Sequence, residues 1–173
     1  MKSENKLIKV IFEDPERRFH IRELARETKS HPNTVTKIVN NLAKENIVNK
    51  KKNIHEVEIS LKLESKEYKK KKILFNLNSI YNSEILEELL EFYNKPRGIV
   101  LFGSYLRGED SKESDIDFVV ITNNKNKPNV EKYEKRLKRK IHVLNVGEKE
   151  KISNEFYNNI INGYVLYGYL ELK

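Results

Sequence analysis

Apolar residues recur at helical spacing through the first third of the chain. Leu7, Ile8 and Ile11 form one stripe, and Ile21, Leu24 and Ala25 form a second. Val35, Ile38, Val39 and Leu42 form a third, at i, i+3, i+4 and i+7. Pro32 stands where a first helical residue is expected, with His31 before it as a cap. A short connection around Lys29 and Ser30 joins the second and third helices. The period then changes to two. Ile47-Val48 opens an extended segment, Lys50-Lys51-Lys52-Asn53 predicts a basic turn, and Val57, Ile59 and Leu61 alternate as a return strand. Two further helices are expected. Residues 65–81 are basic, with Tyr68, Ile73, Leu74 and Leu77 interspersed. Ser83 caps a helix through Asn94 whose apolar stripe is Ile85, Leu86, Leu89, Leu90 and Tyr93.

The second half alternates between strand and helix. Gly98-Ile99-Val100-Leu101-Phe102 is a short apolar run bounded by glycines, which predicts a buried strand. Phe118-Val119-Val120-Ile121 and Ile141-His142-Val143-Leu144-Asn145-Val146 predict two more, and Tyr164-Val165-Leu166-Tyr167 a last one. Charged residues 129–140 read as a helix after Pro128. Residues 148–162 read as another, with Ile152, Phe156 and Ile160 on one face and Gly163 ending it. Residues 123–129 read as a polar loop near a cleft. Three helices and a β-hairpin make a winged helix-turn-helix. The expected fold is therefore α/β (α+β), an N-terminal winged helix-turn-helix followed by a small mixed-sheet domain. The expected boundaries are 1–63, a helical connector at 64–95 that can serve a dimer, and 96–173.

The densest chemistry sits in the second domain. Side chains along a strand alternate, so Asp115 and Asp117 share a face, with Cα atoms roughly 7 Å apart. Two anions so placed repel unless a cation lies between them, and Mg²⁺ takes oxygen ligands alongside substrate phosphates. Upstream, Gly103 lets backbone approach a ligand closely. Ser104 to Arg107 opens a helix whose N–H groups attract phosphate. Ser104 adds a hydroxyl donor there, and Arg107 adds a fixed positive charge.

Phe102-Gly103-Ser104-Tyr105-Leu106-Arg107-Gly108 followed by Ser114-Asp115-Ile116-Asp117 resembles the signature of minimal nucleotidyltransferases, in the polymerase-β-like superfamily, over about residues 96 to 172. The resemblance implies that Gly103 and Ser104 hold an NTP triphosphate and that Asp115 and Asp117 hold Mg²⁺. It also implies a third carboxylate near the second position of a later strand. Here that position is His142, and no Asp or Glu lies between Glu134 and Glu148. Imidazole is a poor Mg²⁺ ligand beside carboxylate. NTP binding is therefore expected to survive, with transfer slow or absent. Proteins of this resemblance act as antitoxins that modify a HEPN-type toxin, which offers one protein acceptor.

Charge divides the chain. Residues 1–72 hold 19 Lys and Arg against 11 Asp and Glu, whereas residues 73–173 hold 15 of each. The net +8 of the protein thus lies in its N-terminal part, which suggests a polyanionic partner. With Val35, Ile38, Val39 and Leu42 facing inward, Asn33, Thr36, Lys37, Asn40 and Lys44 share the outer face of the third helix. Asn and Thr bond base edges in the major groove of double-stranded DNA, and Lys meets phosphate. Lys50, Lys51 and Lys52 would reach the adjacent backbone. The segment from Phe19-His20-Ile21-Arg22-Glu23-Leu24-Ala25 through Pro32-Asn33-Thr34-Val35 is also similar to winged-helix transcriptional regulators, over about residues 3 to 62. The alternative use of such a fold is protein docking.

The absence of cysteine excludes disulfides and zinc–thiolate centres. No apolar stretch approaches the ~20 residues of a membrane span, and no signal peptide is visible. A cytoplasmic protein is expected. Two readings follow. One is a DNA-binding regulator whose second domain binds NTP·Mg²⁺ with weak or cryptic NMP transfer. The other is an active nucleotidyltransferase that moves NMP onto a protein, RNA or small molecule, with the winged helix for autoregulation. The 85–93 stripe serves either the core of its own domain or a two-fold homodimer.

Overall fold

A computed structural model describes residues 3–52, 56–147 and 150–170. The chain divides into two compact units, Met1–Phe75 and Asn76–Lys173. The first is built from α1 (Ser3–Glu13), β1 (Phe19–His20), α2 (Ile21–Thr28), α3 (Pro32–Lys44), β2 (Val48–Lys52), β3 (Val57–Leu61) and the start of α4 (Lys66–Ser83). The second continues through the rest of α4 into α5 (Ile85–Phe92), β4 (Gly98–Phe102), α6 (Gly103–Arg107), β5 (Ile116–Ile121), α7 (Glu131–Leu137), β6 (Ile141–Val146), α8 (Asn154–Ile161) and β7 (Tyr164–Gly168).

In the first unit each apolar stripe turns inward. Leu7, Ile11 and Phe12 of α1 meet Leu24 of α2, Val35, Val39 and Leu42 of α3, and Ile59 and Leu61 of β3. Local signals set the helix ends. The Glu23 carboxylate accepts from the His20 N–H, and the His31 ring accepts from the Asn33 N–H at the head of α3. Lys29 turns the chain between α2 and α3 in the left-handed region, at φ +51°. The antiparallel sheet has the order β1-β3-β2. Its two-residue strand β1 carries too little alternation to be read from sequence.

The sheet of the first unit corrects one expectation. Lys50, Lys51 and Lys52 do not form a turn. They lie on β2, opposite Ile59, Glu58 and Val57, because the pairing register of β3 runs to its first residue. Asn53 falls outside the described residues. Within the basic residues 65–81, Lys72 is buried, donates to the Phe12 carbonyl at 2.7 Å and lies over the Phe75 ring. Finally, the stripe Ile85, Leu86, Leu89 and Tyr93 packs inside the second unit against Ile80, Leu101 and Phe118. Those residues are used as core of their own unit.

The sheet of the second unit has the order β6-β5-β4-β7. β4 is antiparallel to both β5 and β7, and β5 is parallel to β6 through the crossover helix α7. The strands β4 and β5 read as near-continuous apolar runs because both of their faces are covered. On one face Ile99, Leu101, Phe118 and Val120 meet α4, α5 and Tyr133 of α7. On the other Val100, Phe102 and Val119 meet Ile160 and Phe156 of α8. The helix expected from residue 148 spans Asn154–Ile161, capped by Ser153, and Glu148 falls outside the described residues. The polar loop of residues 123–129 does not border the aspartates. It follows the far end of β5 and is pinned there: the Asn145 amide donates to the carbonyls of Asn124 and Asn126, and the Tyr93 hydroxyl donates to Asn145 Oδ1.

Candidate active site

Ile116 and Phe118 of β5 are buried in one core, so alternation sends Asp115 and Asp117 to the other side of the strand. Pairing brings Phe102 beside Asp117 from β4 and His142 beside it from β6. The His142 ring sits between the carboxylates, with Nε2 3.7 Å from Asp115 Oδ2 and Nδ1 3.4 Å from Asp117 Oδ1. Gly103 closes the opposite flank. Its φ is +81°, and a Cβ there would lie 2.6 Å from Asp117 Oδ2, so only glycine lets the backbone turn this close to the acid.

Burial pushes the Asp117 carboxyl above its ordinary value. His142 opposes that rise, and Asp115 adds to it. The site therefore favours a cation that relieves the crowding. Two hard carboxylates on one face suit a divalent ion that shares its remaining positions with phosphate oxygens and water. Among the described residues no group of three or more His, Cys, Asp or Glu side chains converges as a metal centre.

Ser104 is half-buried in the first turn of α6, which Gly108 closes at φ +67°. Arg107 lies at the other end of α6, where its Nε donates to Glu109 at 2.9 Å. The loop from α6 to β5 hangs on a buried polar cluster that the sequence did not mark. Asn76 Nδ2 donates at 2.7 Å both to the Tyr105 carbonyl and to Asp110 Oδ1. Arg139 Nη2 stands 3.6 Å from Asp110 Oδ2. Asp110 reads from sequence as one more acid in a charged loop, and Arg139 is one of the basic residues in the run 135–140; nothing in their spacing distinguishes them. Beside Asp115 opens a cavity of about 480 Å³, bordered by Lys112, Ser114, Glu131, Lys135 and Lys140. Glu134 at its wall accepts from the Ile141 N–H, which holds its carboxyl below the usual range and fixes the start of β6.

In the first unit Asn33, Thr36, Lys37 and Lys44 are exposed along α3, and Asn40 is half-buried among them. Lys50 Nζ donates to Asn40 Oδ1 at 2.5 Å, so β2 and α3 present one surface. Lys51 and Lys52 are exposed on the same strand, and the Thr36 hydroxyl donates back to the Pro32 carbonyl.

A strand–glycine–short-helix turn facing two acids on the next strand is the arrangement of a phosphoryl- or nucleotidyl-transferring fold. Residues 83–167 match the family model described as "Nucleotidyltransferase domain". A relative from Methanocaldococcus jannaschii, named "Putative protein adenylyltransferase MJ1379", is 33% identical over 88 residues, which cover 47% of this chain and 85% of that protein. The chain belongs to the nucleotidyltransferase family. No solved structure matches it. No helix among the described residues is long and apolar enough to cross a membrane.

Proposed function

We propose that this protein transfers the nucleoside monophosphate of an NTP, ATP first, to a hydroxyl of a protein. The observation that carries the reading is the packing of the Gly103 backbone against Asp117, with Asp115 on the same face. The protein acceptor and the adenylyl group rest on the name of the archaeal relative. Asp115 and Asp117 would hold Mg²⁺, which neutralises the triphosphate and polarises the α-phosphorus when bound. Gly103 and Ser104 would cradle the phosphates through backbone N–H groups and the serine hydroxyl. The acceptor oxygen forms its bond to the α-phosphorus, the bond to the β-phosphate bridge breaks, and pyrophosphate leaves with the electron pair. The acceptor proton passes to water. Attack and departure lie in line. The sheet order places Gly103 on the β4 side of Asp117 and the cavity beside Asp115 towards β6, which suits a leaving group on one side and an acceptor on the other. The HEPN-type toxin remains a proposed acceptor of this class.

The test is incubation with α-labelled ATP, Mg²⁺ and cell lysate. Label on protein that is lost in Asp115→Asn/Asp117→Asn supports the reading. Label that persists in the double variant, or ATP·Mg²⁺ that gives no heat in calorimetry, rejects it.

For the first unit we infer a winged helix-turn-helix that binds double-stranded DNA and serves regulation. The joint surface of α3 and β2, tied by Lys50 and Asn40, favours it, as does the basic excess of residues 1–72. Fluorescence anisotropy on random duplex DNA tests this part. Salt-independent or absent binding would reject it.

A further inference from the structure

The parallel register of β5 and β6 fixes the backbone of His142 beside that of Asp117, on the face that also carries Asp115. The exposed ring spans both acids, with Nε2 3.7 Å from Asp115 Oδ2 and Nδ1 3.4 Å from Asp117 Oδ1. Donors around one divalent ion, at bonds of about 2.0–2.2 Å, stand about 3 Å apart at right angles and about 3.4 Å apart in a tetrahedron. The two spacings lie at or just beyond that range. The three side chains do not converge as a closed centre, but rotation of an exposed ring covers the difference, with no movement of the strands. Of the residues of β6 on this face, His142, Leu144 and Val146, only the first carries a donor atom.

Donor chemistry decides which ion gains from this ring. Mg²⁺ takes oxygen ligands and draws little from imidazole. First-row transition ions accept nitrogen and oxygen together, and their affinity for such sites rises from Mn²⁺ onward. We propose that His142 is the third protein donor to the cation held by Asp115 and Asp117, so that the site prefers a first-row transition ion to Mg²⁺. The proposal rests on the nucleotidyl-transfer reading of the site. Within that reading Mg²⁺ still binds through the two carboxylates, but without the third protein ligand.

The probe is inorganic tripolyphosphate, which supplies phosphate oxygens and no nitrogen, loaded with Mn²⁺ or with Mg²⁺. Calorimetry on the full-length protein should show the Mn²⁺ complex bound about tenfold tighter or more than the Mg²⁺ complex, and His142→Asp should lower that ratio by about fivefold or more. Pulsed EPR of the bound Mn²⁺ should show a histidine nitrogen coupling that His142→Gln removes. Binding of Mn²⁺ without that coupling overturns the proposal and leaves the nucleotide reading standing. A ratio that His142→Asp leaves unchanged does the same. If neither complex binds, the nucleotide reading falls together with the proposal. Should His142→Asp not fold, the ratio is read on His142→Gln, with the same expected fall.

Discussion

Gly103 has two separate reasons to be glycine. Its φ of +81° strains any residue with a Cβ, and that Cβ would also strike Asp117 Oδ2. Gly103→Ala should therefore cost about 1–3 kcal/mol of stability. It should also weaken NTP·Mg²⁺ binding by about tenfold or more, because relief of the clash moves the acid; urea unfolding and calorimetry read the two effects. His142 stands where the resemblance to nucleotidyltransferases implies a third acid. Its ring stands between the carboxylates and supplies no third acid. His142→Asp should raise the rate of label transfer while His142→Ala does not, since only the former adds an oxygen ligand. A fall in rate with Asp would show that the imidazole itself serves the reaction. Asp117 gives a pH signature. Burial raises its carboxyl pKa in the folded state, so in metal-free protein its ionisation opposes folding. The stability of wild type relative to Asp117→Asn should be highest below the ordinary aspartate value and be lost as pH rises through the raised one. Urea midpoints across that range in EDTA check the sign.

Between elements, the decisive contacts are polar and buried. Asp110 links Asn76 of α4 to Arg139 at the entrance to β6, and Asn76 also holds the end of α6 through the Tyr105 carbonyl. One cluster thus positions the Gly103-Ser104 turn against the strands that carry the acids. Asp110→Ala should cost about 3–5 kcal/mol, because it leaves the buried Arg139 guanidinium without that counter-charge. Asp110→Asn should cost less, since the amide retains an oxygen for Asn76. Urea unfolding of the two variants separates charge from shape. The loop at 123–129 shows the same logic. Its composition reads as unrestrained, yet Asn145 and Tyr93 bind its carbonyls.

Across the whole chain, charge and chemistry occupy different units. The basic excess lies in residues 1–72, and the paired acids lie in Asn76–Lys173. If the surface shared by α3 and β2 meets DNA phosphates, Lys50→Glu/Lys51→Glu/Lys52→Glu should weaken binding and lower the slope of log K against log salt by about 2 to 3. The same variant should leave ATP·Mg²⁺ calorimetry unchanged. An unchanged slope would remove β2 from the contact.

The sequence by itself determined whatever depends on neighbours along the chain. Helix stripes and strand alternation were legible because periods of 3.6 and 2 follow from backbone geometry alone. The turn Gly103-Ser104 and the pair Asp115 and Asp117 were legible because their spacing reports one strand end facing one strand face. Tertiary structure alone decided what distant residues share. It set His142 between two acids through the parallel register of β5 and β6. It put Lys50 to Lys52 on a strand through the register with β3. It turned the 85–93 stripe inward, drew Asp110 and Arg139 together, and put β7 at the edge of its sheet. Such pairings depend on how the chain closes over long separations, and no local period encodes that closure.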